Sequence, residues 1–354
     1  VPTFEPGAVG SHVIEVQRLV REDLGLASEV FAEHVRGPGG ARRHTDYGRA
    51  VPARPGDVLV YQMAIGSVVA DFVAARPETL VVNSHNITPA RFLQPWDPGV
   101  THGVAWGQDQ LRQLAGRAAL GVAVSSFNRA DLVAAGFART AVVPVLVDVG
   151  RASGDSDPAV EDRLRATKGG TDWLFVGRIS PNKCQHDVVR AFAAYRRLYD
   201  GAARLWLVGS PASASYQDAL ERMVDDLGLG PAVTFTGSLS QAAVVAHYRA
   251  ADVFVCLSEH EGFCVPLLEA WWHRLPVVAF AAAAVPETLD DAGLLLADKG
   301  PARVAASVAR VASDEPLRRA LVARGSDRLD EFSLPRTRAR LAEVLKPLLA
   351  GAAP

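Results

Sequence analysis

A chain of 354 residues with 49% apolar residues, 21% charged residues and a formal net charge of −2 is long for one domain and comfortable for two. The balance is that of a globular protein, which excludes a disordered chain, and its near-neutral charge argues against a nucleic-acid or anionic-membrane partner. No run of about 18 apolar residues occurs, so no transmembrane segment is expected. Only four of the 37 basic residues are Lys, the usage expected of a GC-rich, actinobacterial genome, and Lys183 is one of them. The three cysteines, Cys184, Cys256 and Cys264, form no C-x-x-C, and their odd number fits a reducing cytoplasm. They read as small buried hydrophobes with no assigned chemistry. The chain opens on VPTFEPG, without Met and nearly without a first strand, so a few preceding residues are expected to be missing; a signal peptide would show a charged start and a long apolar region.

In chain order, Val1 to Phe4 reads as the tail of a first strand. Gly7 and Gly10 then mark a strand-to-helix turn where the backbone approaches something, followed by a helix through Arg21. Residues 36 to 50, RGPGGARRHTDYGRA, form a Gly-rich basic loop with Arg36, Arg42, Arg43 and Arg49, a solvated loop by default that keeps a ligand-binding role open. Strands follow at Val58 to Tyr61 and Leu80 to Val82, the second ending in Asn83-Ser84-His85-Asn86. Strand ends of an open sheet line its ligand crevice, which makes His85 a candidate for contact with substrate. Residues 104 to 118 are amphipathic around Trp106, but mixed charge and a single Trp favour packing over peripheral membrane contact. Gly121 to Val124, a helix over Asn128 to Ala135, and Ala141 to Val147 close this half, whose alternation of strands and helices predicts a parallel α/β sheet.

From Asp148 to Gly170 the chain is rich in Gly, Ser, Asp and Arg and reads as a linker. Beyond it, five strands are expected at Trp173 to Val176, Arg204 to Val208, Val233 to Thr236, Val253 to Leu257 and Val277 to Phe280, again with helices between them. Gly209 and the stretch Thr236-Gly237-Ser238-Leu239 sit at strand ends, where an open sheet lines its ligand crevice.

Two stretches carry chemistry. Gly177-Arg178-Ile179-Ser180-Pro181-Asn182-Lys183 leaves a strand and enters a helix, so a planar guanidinium fork and a mobile ammonium reach one crevice and can hold a diphosphate. Glu261 lies on the turn after the fourth of these strands, where Gly262 allows a bend, and Pro266 suits the first turn of the next helix. Free amides near Phe263, Cys264 and Val265 offer an anion site, and Glu269 is expected in the first helical turn. Taken alone, the two glutamates are a loop charge and a solvated helix-start residue. Flanking an anion site, each can accept bonds from vicinal hydroxyls, which is the binding problem of a nucleotide sugar. No D-x-D and no cluster of His and carboxylates points to a metal. A glycosidase pair of carboxylates is disfavoured, since a hydrolase of neutral glycosides has no use for a phosphate cradle.

The string SEHEGFCVPLLEA, residues 258 to 270, closely resembles the E-x7-E signature of retaining nucleotide-sugar glycosyltransferases of family 4, and GRISPNK resembles that family's G-R-x-x-P-x-K block. Cys264 stands where many relatives have Gly. Gly10 and His12 match the family's first loop, in which Val9 replaces a usual Gly. NSHN at Asn83 to Asn86 and YQMAIGS at Tyr61 to Ser67 are also similar to it, as is Ala284-Val285-Pro286-Glu287 with alanines for glycines. The likeness covers most of the chain, strongest over residues 173 to 300. It implies an α/β protein of the GT-B fold, two Rossmann-like parallel-sheet domains facing a central cleft: residues 1–148 on the acceptor side, 149–170 as linker, 171–334 binding the nucleotide sugar, and 335–354 as a helix returning to the first domain. It implies transfer of a hexose from a UDP-sugar, or from GDP-mannose, to a hydroxyl of a glycan, lipid-linked or small-molecule acceptor, with no metal and no other cofactor. Carried over by residue, Arg178 and Lys183 hold the diphosphate, Glu269 the ribose, and Glu261 with Gly262, Phe263, Cys264 and Val265 the sugar; Gly10, Gly209, Gly237 and Leu239 complete the donor site, and His85 faces the reaction centre. His12, Arg42, Arg43 and Asn86 are the acceptor candidates, and Glu287 is a secondary one. A GT-B epimerase or phosphorylase and a non-catalytic sugar-binding scaffold are the rival readings.

Overall fold

The structure, a computed structural model, describes residues 1–4, 7–35, 40–50 and 56–349. It divides into two units: one of Val1–Gln94, Pro98–Val147 and the chain from Phe332 on, the other of Pro95–Asp97 with Asp148–Glu331. Among the described residues no helix is long and apolar enough to cross a membrane.

The first unit is built on four parallel strands in sequential order, β1 (Val58–Met63), β2 (Thr79–Ser84), β3 (Leu120–Ala123) and β4 (Thr140–Val142). Their near-continuous apolar runs are what a parallel sheet covered on both faces requires. Leu80 and Val82 of β2 pack with Tyr61, Met63, Leu114 and Leu132. Val81, pointing the other way, packs with Leu19, Leu120, Leu341 and Leu345. The helix Ala8–Arg18 runs on into a π-helical turn, Leu19–Asp23. The last helix, Leu334–Leu349, is pinned beside that turn by Arg338, whose guanidinium reaches Glu22 and Asp23 at 2.9 Å each. The helix Leu334–Leu349 thus belongs to the first unit. Two short parallel pairs, Thr3–Phe4 with His34–Val35 and Phe31–Ala32 with Arg42–Arg43, lie outside the main sheet.

The second unit carries six parallel strands, β5 (Asp172–Val176), β6 (Arg204–Val208), β7 (Val233–Gly237), β8 (Val253–Cys256), β9 (Val277–Phe280) and β10 (Leu294–Leu296). Their spatial order is β7-β6-β5-β8-β9-β10, the doubly wound order in which direction reverses between the first and fourth strands. Five strands were expected; the sixth, LLL, is too short and too like a helical run to stand out. Trp173, Phe175, Leu205, Leu207, Val253 and Val255 alternate into one core with Val188, Phe192 and Val304.

The stretch expected as a linker folds into two helices, Val149–Ser153 and Pro158–Ala166. The physical signal was present: Asp148 accepts from the Arg151 amide at 3.0 Å, and Asp157 accepts from Ala159 and Val160 with Pro158 at the first helical position. Leu164 then buries against Ala246 and Ala250, and Arg204 of β6 clamps Asp172 of β5 with two 2.7 Å bonds while reaching the Leu164 carbonyl at 2.9 Å.

Candidate functional site

The chemistry-bearing loops of the second unit leave the carboxyl ends of β5 and β8, the two strands at which the sheet order reverses. Ligands in open α/β sheets bind at this kind of switch point. After β5, Gly177 (φ +147°) releases the chain to Arg178, and a single 3-10 turn, Pro181–Lys183, leads through left-handed Cys184 (φ 53°) into the helix Gln185–Leu198. The two loops are sewn together by Asn182. Its side-chain amide donates to the His260 carbonyl at 3.0 Å, its own carbonyl accepts from the Glu259 amide at 2.9 Å, and Ser180 Oγ donates to its Oδ1 at 2.8 Å.

Lys183 Nζ donates to both oxygens of Glu261, at 2.6 and 2.5 Å. Burial works against the Lys183 charge, but the Glu261 carboxylate outweighs it and holds the ammonium above its ordinary value. The residues expected to grip a diphosphate and a sugar are thus paired with each other. The Arg178 guanidinium, in contrast, is exposed and makes no ion pair among the described residues.

The loop after β8 ends at Cys264, which caps the helix Val265–Trp272 in the left-handed conformation at φ 72° with no side-chain cap. The bend expected at Gly262 therefore falls on Cys264, and left-handed backbone costs a β-substituted residue about 1 kcal/mol. Thr288 Oγ donates to the Phe263 carbonyl at 2.7 Å and steadies this turn. Glu269 is the fifth residue of the helix, hence in its second turn and not its first. Tyr248 OH donates to it at 2.8 Å, with the tyrosine ring stacked on His273 at 5.4 Å. Burial raises the Glu269 pKa and the Tyr248 bond partly offsets that rise.

Gly209 was expected to let a nucleotide approach. Its first duty is internal: a Cβ there would lie 2.1 Å from the Gly177 carbonyl oxygen, so only glycine lets the ends of β5 and β6 close. Gly237 (φ +64°) has open space where a Cβ would be, and Leu239 is half-buried beyond it. Glu287 is exposed, its carbonyl taken by Arg328 at 2.6 Å.

In the first unit, His85 follows β2, its amide donating to the Met63 carbonyl at 2.8 Å and its Nε2–H to Gln62 Oε1 at 2.7 Å. Nδ1 is therefore the lone-pair nitrogen, and burial pulls the ring pKa down to about 4, keeping it neutral. Tyr61 and Gln62 of β1 explain the YQMAIGS segment: Tyr61 OH meets Ser67 Oγ at 3.0 Å, and a bond pair between Gln110 and the Ser67 backbone fixes the strand end that carries Gln62. His12 stands edge-on to His85 at 4.7 Å. It lies within the helix that begins at Ala8, as does Gly10, so neither is on a loop. Leu146 donates its amide to His12 Nδ1 at 2.9 Å, so the neutral ring carries its proton on Nε2; Asn83 Nδ2 lies 2.7 Å from that nitrogen, and turning the Asn83 amide over makes Oδ1, which otherwise has no partner, the acceptor of Nε2–H. At 1% exposure with both nitrogens occupied, His12 positions the end of β2, and the acceptor contact expected of it gives way to that role. Asn86 (φ 92°) accepts from Asn128 at 2.9 Å. Arg42 and Arg43 are exposed on a short strand, Arg42 pairing with Glu29 at 3.0 Å. Arg36 and the Arg49 side chain lie outside the described residues.

Sequence reasoning missed Asn182, Tyr248, Thr288 and Gln62, which act by holding other groups. Asn182 alone had a signal, as the polar residue between Pro181 and Lys183 in a short connecting turn.

Two parallel α/β sheets, the second in doubly wound order, define a GT-B protein. Residues 159–328 form a domain matching the family described as Glycosyl transferases group 1. A D-inositol 3-phosphate glycosyltransferase of Geodermatophilus obscurus is 32% identical over 241 residues, 65% of this chain and 52% of that protein. A GDP-mannose-dependent alpha-(1-6)-phosphatidylinositol monomannoside mannosyltransferase of Mycobacterium tuberculosis is 30% identical over 246 residues, 64% of this chain and 63% of that protein. The match thus spans about half to three fifths of the length of these relatives. Among solved structures, Anabaena HepE in complex with UDP and glucose superposes with a TM-score of 0.74 at 19% identity, covering 98% of each chain.

Proposed function

We propose that this chain is a retaining glycosyltransferase that moves a hexose from a nucleoside diphosphate sugar, a UDP-sugar first and GDP-mannose second, to a hydroxyl acceptor without a metal ion. The observation that carries this reading is the grouping of Arg178, the Lys183–Glu261 pair and the helix bearing Glu269 at one topological switch point. A departing diphosphate gathers negative charge as the glycosidic bond breaks. Fixed cations then stabilise the transition state more than the ground state. Arg178 offers the open fork. Lys183 turns part of its bonding from Glu261 to phosphate, which frees Glu261 to accept from sugar hydroxyls, while Glu269 takes the ribose diol with the oxygen that Tyr248 leaves available.

Among the described residues of the site no side chain stands out as a nucleophile, which suits a same-face displacement with retention over a double displacement through a glycosyl-enzyme. The acceptor attacks from the face the diphosphate leaves, and the leaving phosphate takes its proton. On the acceptor side, neutral His85 offers Nδ1 to the incoming hydroxyl. The named relatives bring inositol phosphates and phosphatidylinositol mannosides into the acceptor screen.

The test is a metal-free thermal-shift panel of UDP, GDP, ADP and dTDP with their common sugars. Binding to the native state raises Tm by mass action, about 2.7 kcal/mol at a hundredfold excess over Kd. One nucleotide standing out fixes the donor. Silence from all, with folded protein, overturns the donor site and favours a sugar-binding scaffold.

A further inference from the structure

We propose that Cys256, Glu261 and Cys264 form a site for one soft divalent metal ion of the zinc and cadmium class, and that an ion there holds the donor loop shut. Nothing in the spacing C-x7-C advertised such a site, and both thiols read as packing residues from the sequence. The structure brings the ends of one loop together: the two Sγ atoms are 3.9 Å apart, and the ligand atoms of Cys256, Cys264 and Glu261 all lie within 4.8 Å of one another. Tetrahedral zinc with Zn–S bonds of about 2.3 Å sets its sulfurs about 3.8 Å apart, close to the spacing already present. Thiolates select soft metals over Mg²⁺ and Ca²⁺, so the site is distinct from the hard-ion sites that serve phosphate groups.

Charge and burial agree with this chemistry. All three residues are buried, at 1%, 6% and 6% exposure for Cys256, Glu261 and Cys264, and Lys183 Nζ is bonded to the same carboxylate. On binding, each thiol gives its proton to solvent. Two thiolates and one carboxylate then bring three negative charges against two of the ion and one of Lys183, so the buried cluster stays neutral as it is without metal. Three protein ligands leave a fourth position for water.

The bound ion would fix Glu261 and, through the Cys264 backbone, the start of the helix Val265–Trp272. That consequence for donor binding rests on the function proposed above; the metal site itself does not.

The experiment titrates Cd²⁺ into the full chain in phosphine reductant, without chelator or nucleotide, and follows the thiolate-to-cadmium absorption. Saturation at one ion per chain, reversed by EDTA, is expected, with affinity at least tenfold weaker in Cys256→Ala. That variant keeps its nucleotide binding, since Cys256 contacts no ligand in the proposed donor site. With saturating Zn²⁺, wild-type nucleotide affinity should drop tenfold or more and Cys256→Ala should be indifferent. No absorption band, or an undiminished one in Cys256→Ala, which would move the ion to Cys184, His186 and Asp187, overturns the site. Nucleotide binding unaffected by a bound ion overturns the closed loop. Should Cys256→Ala fail to fold, ¹¹³Cd NMR of the wild type counts the thiolates: two support the site, one or none overturns it. A cadmium band with no nucleotide response at all leaves the metal site standing and sinks the donor reading alone.

Discussion

Lys183 holds both carboxylate oxygens of Glu261, 2.6 and 2.5 Å away, so the cation proposed to grip phosphate and the carboxylate proposed to take the sugar neutralise each other in the structure. Removing one partner strands the other. Lys183→Met should lower turnover about a hundred- to a thousandfold. It should also cost about 3 kcal/mol of stability, because Glu261 is left buried and unpaired. Lys183→Met with Glu261→Gln should recover most of the stability in urea melts and none of the turnover. A double variant as unstable as the single one would show that the pair is not coupled.

The seam at Asn182 makes a different forecast. Asn182→Ala leaves the His260 carbonyl without its donor, at a cost of about 1 to 3 kcal/mol. Because Asn182 ties the two site loops together and is not among the residues proposed to hold the donor, donor KM should rise more than kcat falls. Steady-state kinetics on the folded variant would decide it: unchanged KM would reduce Asn182 to a stability residue.

His85 ties stability to pH. Burial lowers its pKa to about 4 from the ordinary 6.5, so the neutral ring favours the folded state. Its contribution is full above pH 6.5, the unfolded value, and is lost as pH falls toward 4, with a total of roughly 3 kcal/mol. His12 and His273 are displaced in the same direction by burial and steepen the fall. Tm measured from pH 7.5 to 4.5 should drop below about pH 6.5. His85→Gln should flatten part of that slope; an unaltered slope would show that His85 does not titrate this way.

The contrast between Arg178 and Asn182 shows how much of this site was legible. Arg178, Lys183, Glu261 and Glu269 could be singled out because GRISPNK and SEHEGFCVPLLEA resemble family blocks; taken alone, the same charges read as solvated surface. Asn182, Tyr248 and Gln62 act through hydrogen bonds that reach partners 21 to 78 positions away, and no local pattern encodes such a distance. The two sheets were legible, since runs such as WLFV and VFVC can only be buried strands. β10 was not, being three leucines. The helix Pro158–Ala166 was hidden by a composition that suggested a linker, although Asp157 and Pro158 wrote its first turn plainly. Gly209 was singled out for a ligand, but its reason is the Gly177 carbonyl 2.1 Å from where a Cβ would stand.

Arg204 offers a structural control. It clamps Asp172, which is fully buried, with two bonds of 2.7 Å. Arg204→Ala should destabilise the second unit by about 3 to 5 kcal/mol yet leave kcat per folded molecule near wild type, because the pair lies at the amino end of β5, opposite the strand end that carries Arg178. A fall in kcat at low temperature, where the variant is folded, would contradict that separation.

In the proposed donor site, Tyr248 is expected to set the pH range of nucleotide binding. Glu269 takes the ribose there as the ionised carboxylate; burial raises its pKa while the Tyr248 hydroxyl, donating at 2.8 Å, opposes the rise. As pH falls through that raised value the carboxylate gains a proton and loses acceptor capacity, so nucleotide affinity should weaken on the acid side. Tyr248→Phe removes the opposing bond, raises the Glu269 pKa further and should move the weakening to higher pH. The neutral-pH Kd should change less than the acid-side midpoint, which separates a change in ionisation from general loosening of the site. Isothermal titration of the preferred nucleotide between pH 5 and 8 measures both quantities. In Glu269→Gln the acid-side transition should vanish, with or without Tyr248; a transition that persists in Glu269→Gln belongs to another group and overturns the assignment.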